Sequence, residues 1–546
     1  MSKRLADLEK RQKSLEAQKT ALPTINPVDA MAADLPYKAA VKAKPAESDD
    51  LCWHGVCLYG NFDMGVLYEP HGNPFNAMAA GPLNYIVEKA SFGSYFGAAA
   101  NVMSTSFIGL RGKQEIGDNL YAVFNLQTLF NPASGMNGNG LGAIVQNNGL
   151  GQSPQLGGGF ANSYGDSSKA GEMFNNAAYF GISSPVYGTF TMGRQSALSS
   201  DLVVNYDALS GSNAWSLITF EGAQGGGGVT ENRIYDNSYE YRLNIGPVRL
   251  AAEAQLRNGG NSSVGNAFEG DIGFDYMGLS MDFLGGKIYD APSVGTTLTS
   301  AQVNGITGTQ VSAAANPFGY AINCSLGCLS AVVSDNTVFQ VGARYTIGPW
   351  KLYGGYEHIT FSNPNSPLAP GAFTYGGYNL GLTNNDNYFT NRNQDNFWIG
   401  VKYSVTPTFD VMAAYYGQRQ HYYTVGLAPA ASGPTGFSNT PGAAVANATQ
   451  AAACAANSAA SPGCAGGTDM ISFALDWRFA RHVDFYAGVS WQQKFGGFVN
   501  GYMLSTNNGA ISGAALVGGC NTGTAPCALI NKVSNFDPGI GLRYQF

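Results

Sequence analysis

The feature that most restricts the fold of this chain is an alternation of apolar and polar side chains with a period of two residues. It begins near Trp53 and recurs in segment after segment to the C-terminus. Successive side chains of a β-strand point to opposite faces, so each such segment is predicted to be a strand. In ISFALDWRF one face carries Ile471, Phe473, Leu475, Trp477 and Phe479, and the other carries Ser472, Asp476 and Arg478. We count about sixteen such segments, and we expect the charged face to point inward in a closed sheet.

The predicted strands come in pairs. Short turns such as EIGDN and IGP join the members of a pair, and long loops rich in Gly, Asn, Ala and Ser follow. Outer-membrane barrels have this asymmetry, with short periplasmic turns and long extracellular loops, whereas propellers and stacked sandwiches do not. The sequence therefore predicts an all-β fold, a transmembrane antiparallel β-barrel of about 16 strands.

The composition agrees with a membrane barrel and excludes other classes. Charged residues make up 12% of the chain, and its mean hydropathy is −0.08. No run of about 18 apolar residues is present, which excludes helical membrane spans. The net charge of −7 and the isoelectric point near 5.3 argue against nucleic-acid binding.

The sequence also argues against an enzyme. It contains no GxSxG, HExxH or P-loop spacing, and His358, His421 and His482 are scattered. We therefore expect no catalytic residues, no metal and no cofactor. A plugged, ligand-gated transporter would need a globular domain of about a hundred residues before the barrel, and only about fifty precede the first strand.

The chain divides into three predicted parts. Residues 1–22 carry leucines at seven-residue-like spacing, which indicates a short helix with one apolar seam, either a coiled coil or a solvated helix. Residues 23–52 are rich in Ala, Pro and Lys and are interpreted as a linker. Residues 53–546 form the barrel.

The eight cysteines fall into four close pairs with irregular spacing, and histidine is too scarce for zinc sites. Local disulfides in an oxidising compartment are the favoured interpretation, with free thiols as the alternative. The predicted pairs are Cys52 with Cys57, Cys324 with Cys328, Cys454 with Cys464, and Cys520 with Cys527.

One stretch, from Val186 to Gly222, leaves the strand pattern for about thirty residues after Gln195. It carries Asp201, Asp207 and Glu221 among small and aromatic residues. A loop of this length within a barrel pattern is usually functional or disordered. We expect it to fold inward and to narrow a pore.

Several stretches, taken in order, resemble the general diffusion porins of the Gram-negative outer membrane. The first strand, VCLYGNFDMGVLYE, is similar to the family's VTLYGxxDAGV, and SFIGLRGKQEIGDNLYAVFNLQ to SRLGFKGxEDLGxGLxAxFQLE. YFGISSPVYGTFTMGRQ resembles xVGLxxxFGTxxxGRQ, and RIYDNSYEY resembles RxxNSxxY. Each motif alone is weak, but together they cover both ends of the barrel and its constriction region.

The resemblance implies a homotrimer in outer-membrane lipid whose pores pass small hydrophilic solutes. It also implies a constriction in which acids on the third loop face basic residues on the wall. The residues matched in this way are Asp207, Glu221 and Asp201 on the loop, and Arg111, Arg194 and Arg233 on the wall. Arg242 is added because strand parity places it with Asp236, Ser238 and Glu240. The family often has a basic residue where Phe107 stands.

Strict alternation conflicts with two of these assignments. It places Arg194 on the face of Phe190 and Met192, and Arg233 on the face of Tyr235 and Tyr239. Either this wall lies in a subunit interface, or the strands end or bulge at the two arginines.

The chain ends on GIGLRYQF, and the resemblance implies that such a terminal strand is recognised by the barrel-assembly machinery. Leu542, Tyr544 and Phe546 share one face of it. The expected function is thus passive diffusion of small hydrophilic solutes or ions through a charged constriction. The alternative is a structural protein whose N-terminal helix ties the outer membrane to the peptidoglycan cell wall.

Overall fold

The computed structural model describes residues 51–70, 85, 94–137, 173–220, 234–256, 266–298, 328–363, 365, 373–375, 378–385, 391–421, 465–496 and 532–546. The predicted helical segment 1–22 and residues 23–50 of the predicted linker lie outside these residues. The last two linker residues, Leu51 and Cys52, belong to the first strand instead. In the described part of the chain, no helix is long and apolar enough to span a membrane.

Twenty strands, numbered in chain order, make one sheet. They are β1 (Leu51–Trp53), β2 (Val56–Glu69), β3 (Tyr95–Ala100), β4 (Phe107–Gly117), β5 (Leu120–Leu129), β6 (Ala177–Ser184), β7 (Gly188–Ser196), β8 (Ile234–Ile245), β9 (Val248–Gln255), β10 (Ala267–Tyr276), β11 (Leu279–Leu298), β12 (Cys328–Ile347), β13 (Trp350–Ser362), β14 (Phe373–Tyr375), β15 (Tyr378–Asn385), β16 (Arg392–Thr406), β17 (Phe409–Gln420), β18 (Gly466–Ala480), β19 (Val483–Gly496) and β20 (Lys532–Gln545).

Sixteen of the strands form a closed antiparallel barrel, which confirms the predicted architecture. The other four are accessory: β1 and β3 lie against β2, and β14 and β15 pair with each other beside β12. Neighbouring wall strands follow one another in the sequence and are joined alternately by short turns and long connections. The strands β11 and β12 run 20 residues each, well beyond the roughly 10 that a bilayer needs, so they extend past the membrane.

Strand β2 closes the ring. Its residues 56–61 pair with β4, and its residues 61–67 pair with β20 on the other side. At the seam Gly60 and Phe546 exchange backbone hydrogen bonds of 2.9 and 3.1 Å. A closed sheet satisfies the backbone groups of its strands within the protein, as a membrane interior requires. Leu542 and Tyr544, on the last strand, are 53% and 46% exposed on the outer face.

The two faces of the wall differ as the alternation predicts. On β18 the outward residues Ile471, Phe473, Trp477 and Phe479 are exposed, whereas Ser472 and Asp476 are buried. In the membrane, lipid would cover the apolar outer surface.

Charged residues are not confined to the inner face, so the expectation that they always point inward is wrong. His358, Asp395, Arg419 and Asp469 share the outer face with residues such as Ile399, at the long-loop ends of β13, β16, β17 and β18. Arg419 Nη2 lies 2.6 Å from Asp469 Oδ1, and His358 Nδ1 lies 2.6 Å from Asp395 Oδ1. These positions lie towards the barrel rim, where polar surroundings and mutual pairing offset the cost of exposing charge outside the barrel.

The hairpin formed by β1 and the start of β2 carries a disulfide between Cys52 and Cys57, which confirms that predicted pair. Its turn consists of His54 and Gly55, which both have positive φ, as a tight hairpin turn requires.

The other three predicted disulfides fall on parts of the chain that the structure does not describe. Of their six cysteines, only the backbone of Cys328 belongs to the described residues. The five that lie outside these residues are Cys324, Cys454, Cys464, Cys520 and Cys527. The pairs of Cys324 with Cys328, Cys454 with Cys464 and Cys520 with Cys527 therefore stay predictions.

Asp63 on β2 fixes the segment between β3 and β4 to the inside of the barrel. Its fully buried carboxylate accepts hydrogen bonds from the backbone N–H groups of Val102, Met103 and Ser104 at 2.8–3.2 Å. The hydroxyl of Tyr486, on β19, donates to it as well. One side chain thus joins β2, the segment between β3 and β4, and β19.

We predict that Asp63→Ala lowers the free energy of unfolding by about 3 kcal/mol, because several buried donors lose their acceptor. Urea titration of the refolded barrel, followed by intrinsic fluorescence, measures this change. Glu115→Ala, at an exposed position of β4, is the control and is expected to change little. Equal midpoints for the two variants would contradict the role given to Asp63.

Candidate functional site

The connection between β7 and β8 folds into the barrel, as predicted. Its residues 197–220 contain helix α1 (Leu198–Tyr206) and a short 3-10 turn (Leu217–Phe220). Within the helix, all residues except Asn205 are buried. We call residues 197–220 the inner loop.

The end of α1 is seated against a glycine of the wall. A Cβ atom on Gly342 of β12 would overlap the ring of Tyr206, so only glycine leaves room for this aromatic residue. Trp398 Nε1 on β16 donates to the carbonyl oxygen of Tyr206 at 2.9 Å. The Tyr206 hydroxyl donates to Asp282 Oδ2 at 2.8 Å. These contacts hold the helix against β11, β12 and β16.

Asp207 follows the helix and is 1% exposed. Its carboxylate accepts hydrogen bonds from the hydroxyl of Tyr416 on β17, at 2.6 Å, and from the N–H of Gly211, at 2.8 Å. Burial raises the pKa of this carboxyl above its ordinary value. The structure therefore places this predicted constriction acid in a contact between the inner loop and the wall.

The far end of the inner loop is anchored by Trp215, which is fully buried. Its Nε1 donates to the carbonyl oxygen of Asp537 on β20 at 3.0 Å, and its ring meets Tyr486 edge-on. A Cβ on Gly488 of β19 would lie 2.6 Å from the indole. The neighbouring Ala214 N–H donates to the Val102 carbonyl at 3.0 Å. The inner loop therefore spans the interior of the barrel, from strands β10–β12 to β20 and to the segment between β3 and β4.

Asp201 and Arg242 are the two predicted constriction residues that the structure brings together. Asp201 lies in the first turn of α1, where a carboxylate is favoured by the helix dipole. The Arg242 guanidinium, on the inner face of β8, contacts Asp201 and donates to Glu240 Oε2 at 3.1 Å. An acid of the inner loop therefore meets a base of the wall.

Arg194 lies at a β-bulge. Gly193 pairs with Ser238, but Gln195 pairs with Tyr235, so β8 has one extra residue opposite Arg194. The extra residue is accommodated by Asn237, which has a φ of 48°. The bulge breaks the strict alternation of β8 opposite Arg194, and a bulge at this point is one of the two solutions that the sequence leaves open.

The guanidinium of Arg194 is buried and contacts the carboxylate of Asp236. Its Nη2 also donates to the carbonyl oxygen of Asn175 at 2.7 Å. These contacts tie β7 to β8 and to the connection before β6. Two other predicted site residues, Glu221 and Arg233, lie outside the described residues.

Arg111 projects from β4, and its guanidinium carbon lies 4.9 Å from the centre of the Tyr59 ring. Tyr59 packs edge-on against Phe107, and Leu129 joins them in a small apolar cluster. Where the resembled family often has a base, this wall therefore has an apolar patch beside a partly exposed arginine.

The wall behind α1 carries more acids than the resemblance implies. Glu240, Glu253 and Glu269 stand directly opposite one another on β8, β9 and β10, and all three are buried. Glu269 accepts hydrogen bonds from the N–H and hydroxyl of Ser199 on α1, at 2.9 and 2.8 Å. Strand parity places these acids on the inner face, but only the cross-strand register shows that they form a row.

Arg249 on β9 is another site residue that the sequence analysis did not select. Its Nη2 lies 2.7 Å from Asp282 Oδ1 and 3.1 Å from the Tyr206 hydroxyl. Arg249 therefore supports the end of α1 from the wall. No group of three or more His, Cys, Asp or Glu side chains suited to a metal ion occurs among the described residues.

A closed β-barrel with an inward-folded loop is the architecture of an outer-membrane channel. The family model of the Gram-negative porins matches residues 30–492, so the chain belongs to this family of outer-membrane, multi-strand β-barrel proteins. The family and the fold point to a channel rather than an enzyme. No curated protein matches the sequence.

Solved structures that resemble the chain include three porins or outer-membrane proteins. The anion-selective porin from Comamonas acidovorans is 15% identical, with 90% of this chain and 99% of that chain covered and a TM-score of 0.49. The in-vitro folded OmpT of Vibrio cholerae, in its trimer form, is 12% identical, with 90% and 99% covered and a TM-score of 0.46. Salmonella typhi OmpF in complex with daunomycin is 12% identical, with 90% and 97% covered and a TM-score of 0.40.

We predict that Gly488→Leu displaces the inner loop, because the new side chain would occupy the volume of the Trp215 ring. Overpacking of this kind costs about 1–3 kcal/mol. The barrel should still fold, and its single-channel conductance should rise as the loop leaves the wall.

The matched control is Gly270→Leu. A Cβ at Gly270 has no atom within 4 Å, and this glycine lies on the outer face of β10. Its conductance should equal that of the wild type. A folded Gly488→Leu barrel with wild-type conductance would show that Trp215 does not set the width of the channel.

Proposed function

We propose that the protein is a passive diffusion channel for small hydrophilic solutes and ions across the outer membrane. The observation that carries the proposal is the fixation of the inner loop within the barrel. Trp398, Tyr416 and the Trp215 indole each donate a hydrogen bond across the loop–wall contact. A loop held in this way narrows the passage, whereas a separate plug domain would close it.

The proposed filter is electrostatic as well as steric. The ion pair of Asp201 with Arg242 supports a charged constriction at the N-terminal end of α1. Charges fixed on a low-dielectric wall act on passing solutes more strongly than charges in bulk water. Arg111, Arg194, Arg233, Asp207 and Glu221 remain predicted members of the constriction.

We further propose that the channel is a homotrimer. The terminal strand, with Leu542, Tyr544 and Phe546, is proposed as the segment that the barrel-assembly machinery recognises. The pairing of Phe546 with Gly60 supports a requirement for this strand in ring closure.

Planar bilayer recording tests the proposal. Purified protein should insert with conductance increments in groups of three. It should conduct potassium chloride, and the current should not saturate as the salt concentration rises. A silent bilayer, obtained with protein whose folded trimer is verified by gel mobility before and after heating, would contradict the channel function.

A second candidate role concerns the N-terminal region. The disulfide-closed hairpin of β1 and β2 lies towards the end of the barrel that bears the short turns, and the predicted helical segment 1–22 precedes it in the sequence. This favours an additional structural link to the peptidoglycan through residues 1–22.

Deleting residues 1–50 should then lower envelope stability, measured as leakage of periplasmic enzyme, and reduce the amount of protein that co-purifies with peptidoglycan. The full-length protein with Leu8→Asp and Leu15→Asp, which disrupt the apolar seam alone, should show the same defect. Unchanged leakage and co-purification would rule out the structural link and leave the channel proposal intact.

A further inference from the structure

Three basic residues lie side by side on the inner wall, on adjacent strands beside the end of α1. Lys351 on β13 stands directly opposite Lys402 on β16. The β12 residue that pairs with Lys351 is Thr346. Arg344 lies two residues before Thr346 on the same face, so it is a diagonal neighbour of Lys351. We call Arg344, Lys351 and Lys402 the basic triad.

The triad faces the lumen. Gly342, which seats the Tyr206 ring inside the barrel, lies two residues before Arg344 on the same face of β12. Tyr353 is the next residue after Lys351 on the same face of β13; it lies inside the barrel and is 4% exposed. Side chains two residues apart on a strand share a face, so the three cations point inward.

The carboxylate that pairs with Lys402 is shared with a further cation outside the triad. Asp410 Oδ2 lies 3.2 Å from Lys402 Nζ and also 3.0 Å from Arg478 Nη1. Lys351 stands directly opposite Lys402 and has Arg344 as a diagonal neighbour on the same face. Like charges placed directly opposite on neighbouring strands are destabilising. An anion at this position would relieve that repulsion.

The triad is built so that two of its members can reach a solute. Lys402 is 7% exposed, but Arg344 and Lys351 are only partly buried. Arg344 Nη1 lies 3.5 Å from the carbonyl oxygen of Asn205, the exposed residue of α1. Arg344 therefore lies beside the inner loop, and Lys351 and Lys402 lie on the next two strands of the same inner face.

We propose that the basic triad is a binding subsite for the oxyanion group of a permeating solute, a phosphate or a carboxylate. Arg344 offers a planar fork of N–H donors that matches two oxygens of such a group, and Lys351 offers a compact positive charge. This subsite rests on the proposed channel function and adds a solute class to it. It is separate from the Asp201–Arg242 pair, which lies on another part of the wall.

The experiment uses inorganic phosphate as the probe. Single-channel chloride current is recorded while phosphate is added at constant ionic strength. We expect a saturable reduction of the current in the wild type. The double variant Arg344→Gln, Lys351→Gln should weaken the apparent phosphate affinity about tenfold or more, the loss expected for two charge-assisted contacts.

Two further variants distinguish a site from a general effect of charge. Lys113→Gln removes a cation from β4, on the far side of the barrel, and should leave the phosphate affinity unchanged. Lys351→Arg keeps the charge and should retain saturation. Folding of every variant is checked by the change in gel mobility on heating.

Isothermal titration of phosphate into the detergent-solubilised protein provides a second readout that does not need current flow. Saturable heat in the wild type, lost in the double variant, would support the subsite even if the bilayer were silent and the channel proposal failed. A non-saturating response in both assays, or an equal loss of affinity in Lys113→Gln, would overturn the subsite while leaving a conducting channel in place.

Discussion

The structure depends on one constraint, which is that the sheet must close on itself. Strand β2 satisfies it by pairing with β4 along its first half and with β20 along its second half. The seam is tight: a Cβ at Gly60 would lie 2.5 Å from the ring of Phe546, so the last aromatic residue needs a glycine opposite it. Since lipid offers the backbone no hydrogen-bond partners, a gap at this seam would expose polar groups of the first and last strands.

The closed barrel has an interior, and side chains of the inner loop pack against glycines of its wall. Gly342 accommodates Tyr206, Gly400 accommodates Ala208, and Gly488 accommodates Trp215. Each end of the loop also makes a directional contact, such as the hydrogen bond from Trp398 Nε1 to the Tyr206 carbonyl. Shape and hydrogen bonding therefore fix the loop at several points, and its charged residues acquire defined partners as a result.

Much of the barrel could be predicted from the sequence because lipid imposes a simple rule on each strand. The alternation of Ile471, Phe473 and Trp477 with Ser472 and Asp476 determines both a strand and its faces. The inward course of the loop was also predictable from its length and from its place after Gln195. Such inferences need only local periodicity and chain order.

The roles of individual site residues were harder to predict, because they depend on register and depth. The partner of Arg194 could not be predicted from the sequence, since the extra residue in β8 at Asn237 shifts the register that brings Asp236 to it. Asp207 is an acid on the predicted constriction loop, but it accepts a hydrogen bond from Tyr416, a residue 209 positions away. The row of Glu240, Glu253 and Glu269 appears only when three strands are aligned.

The central claim, that the inner loop lies against the wall of a conducting barrel, is tested most directly by a double-mutant cycle across one loop–wall contact. Asp207→Ala on the loop and Tyr416→Phe on β17 each remove one partner of the hydrogen bond that joins them. Urea titration of the single and double variants should give a coupling energy of about 1 kcal/mol or more, as expected for side chains in contact, and the single-channel conductance should rise as the loop is released. Folded variants whose two effects on unfolding simply add, with wild-type conductance, would contradict this account.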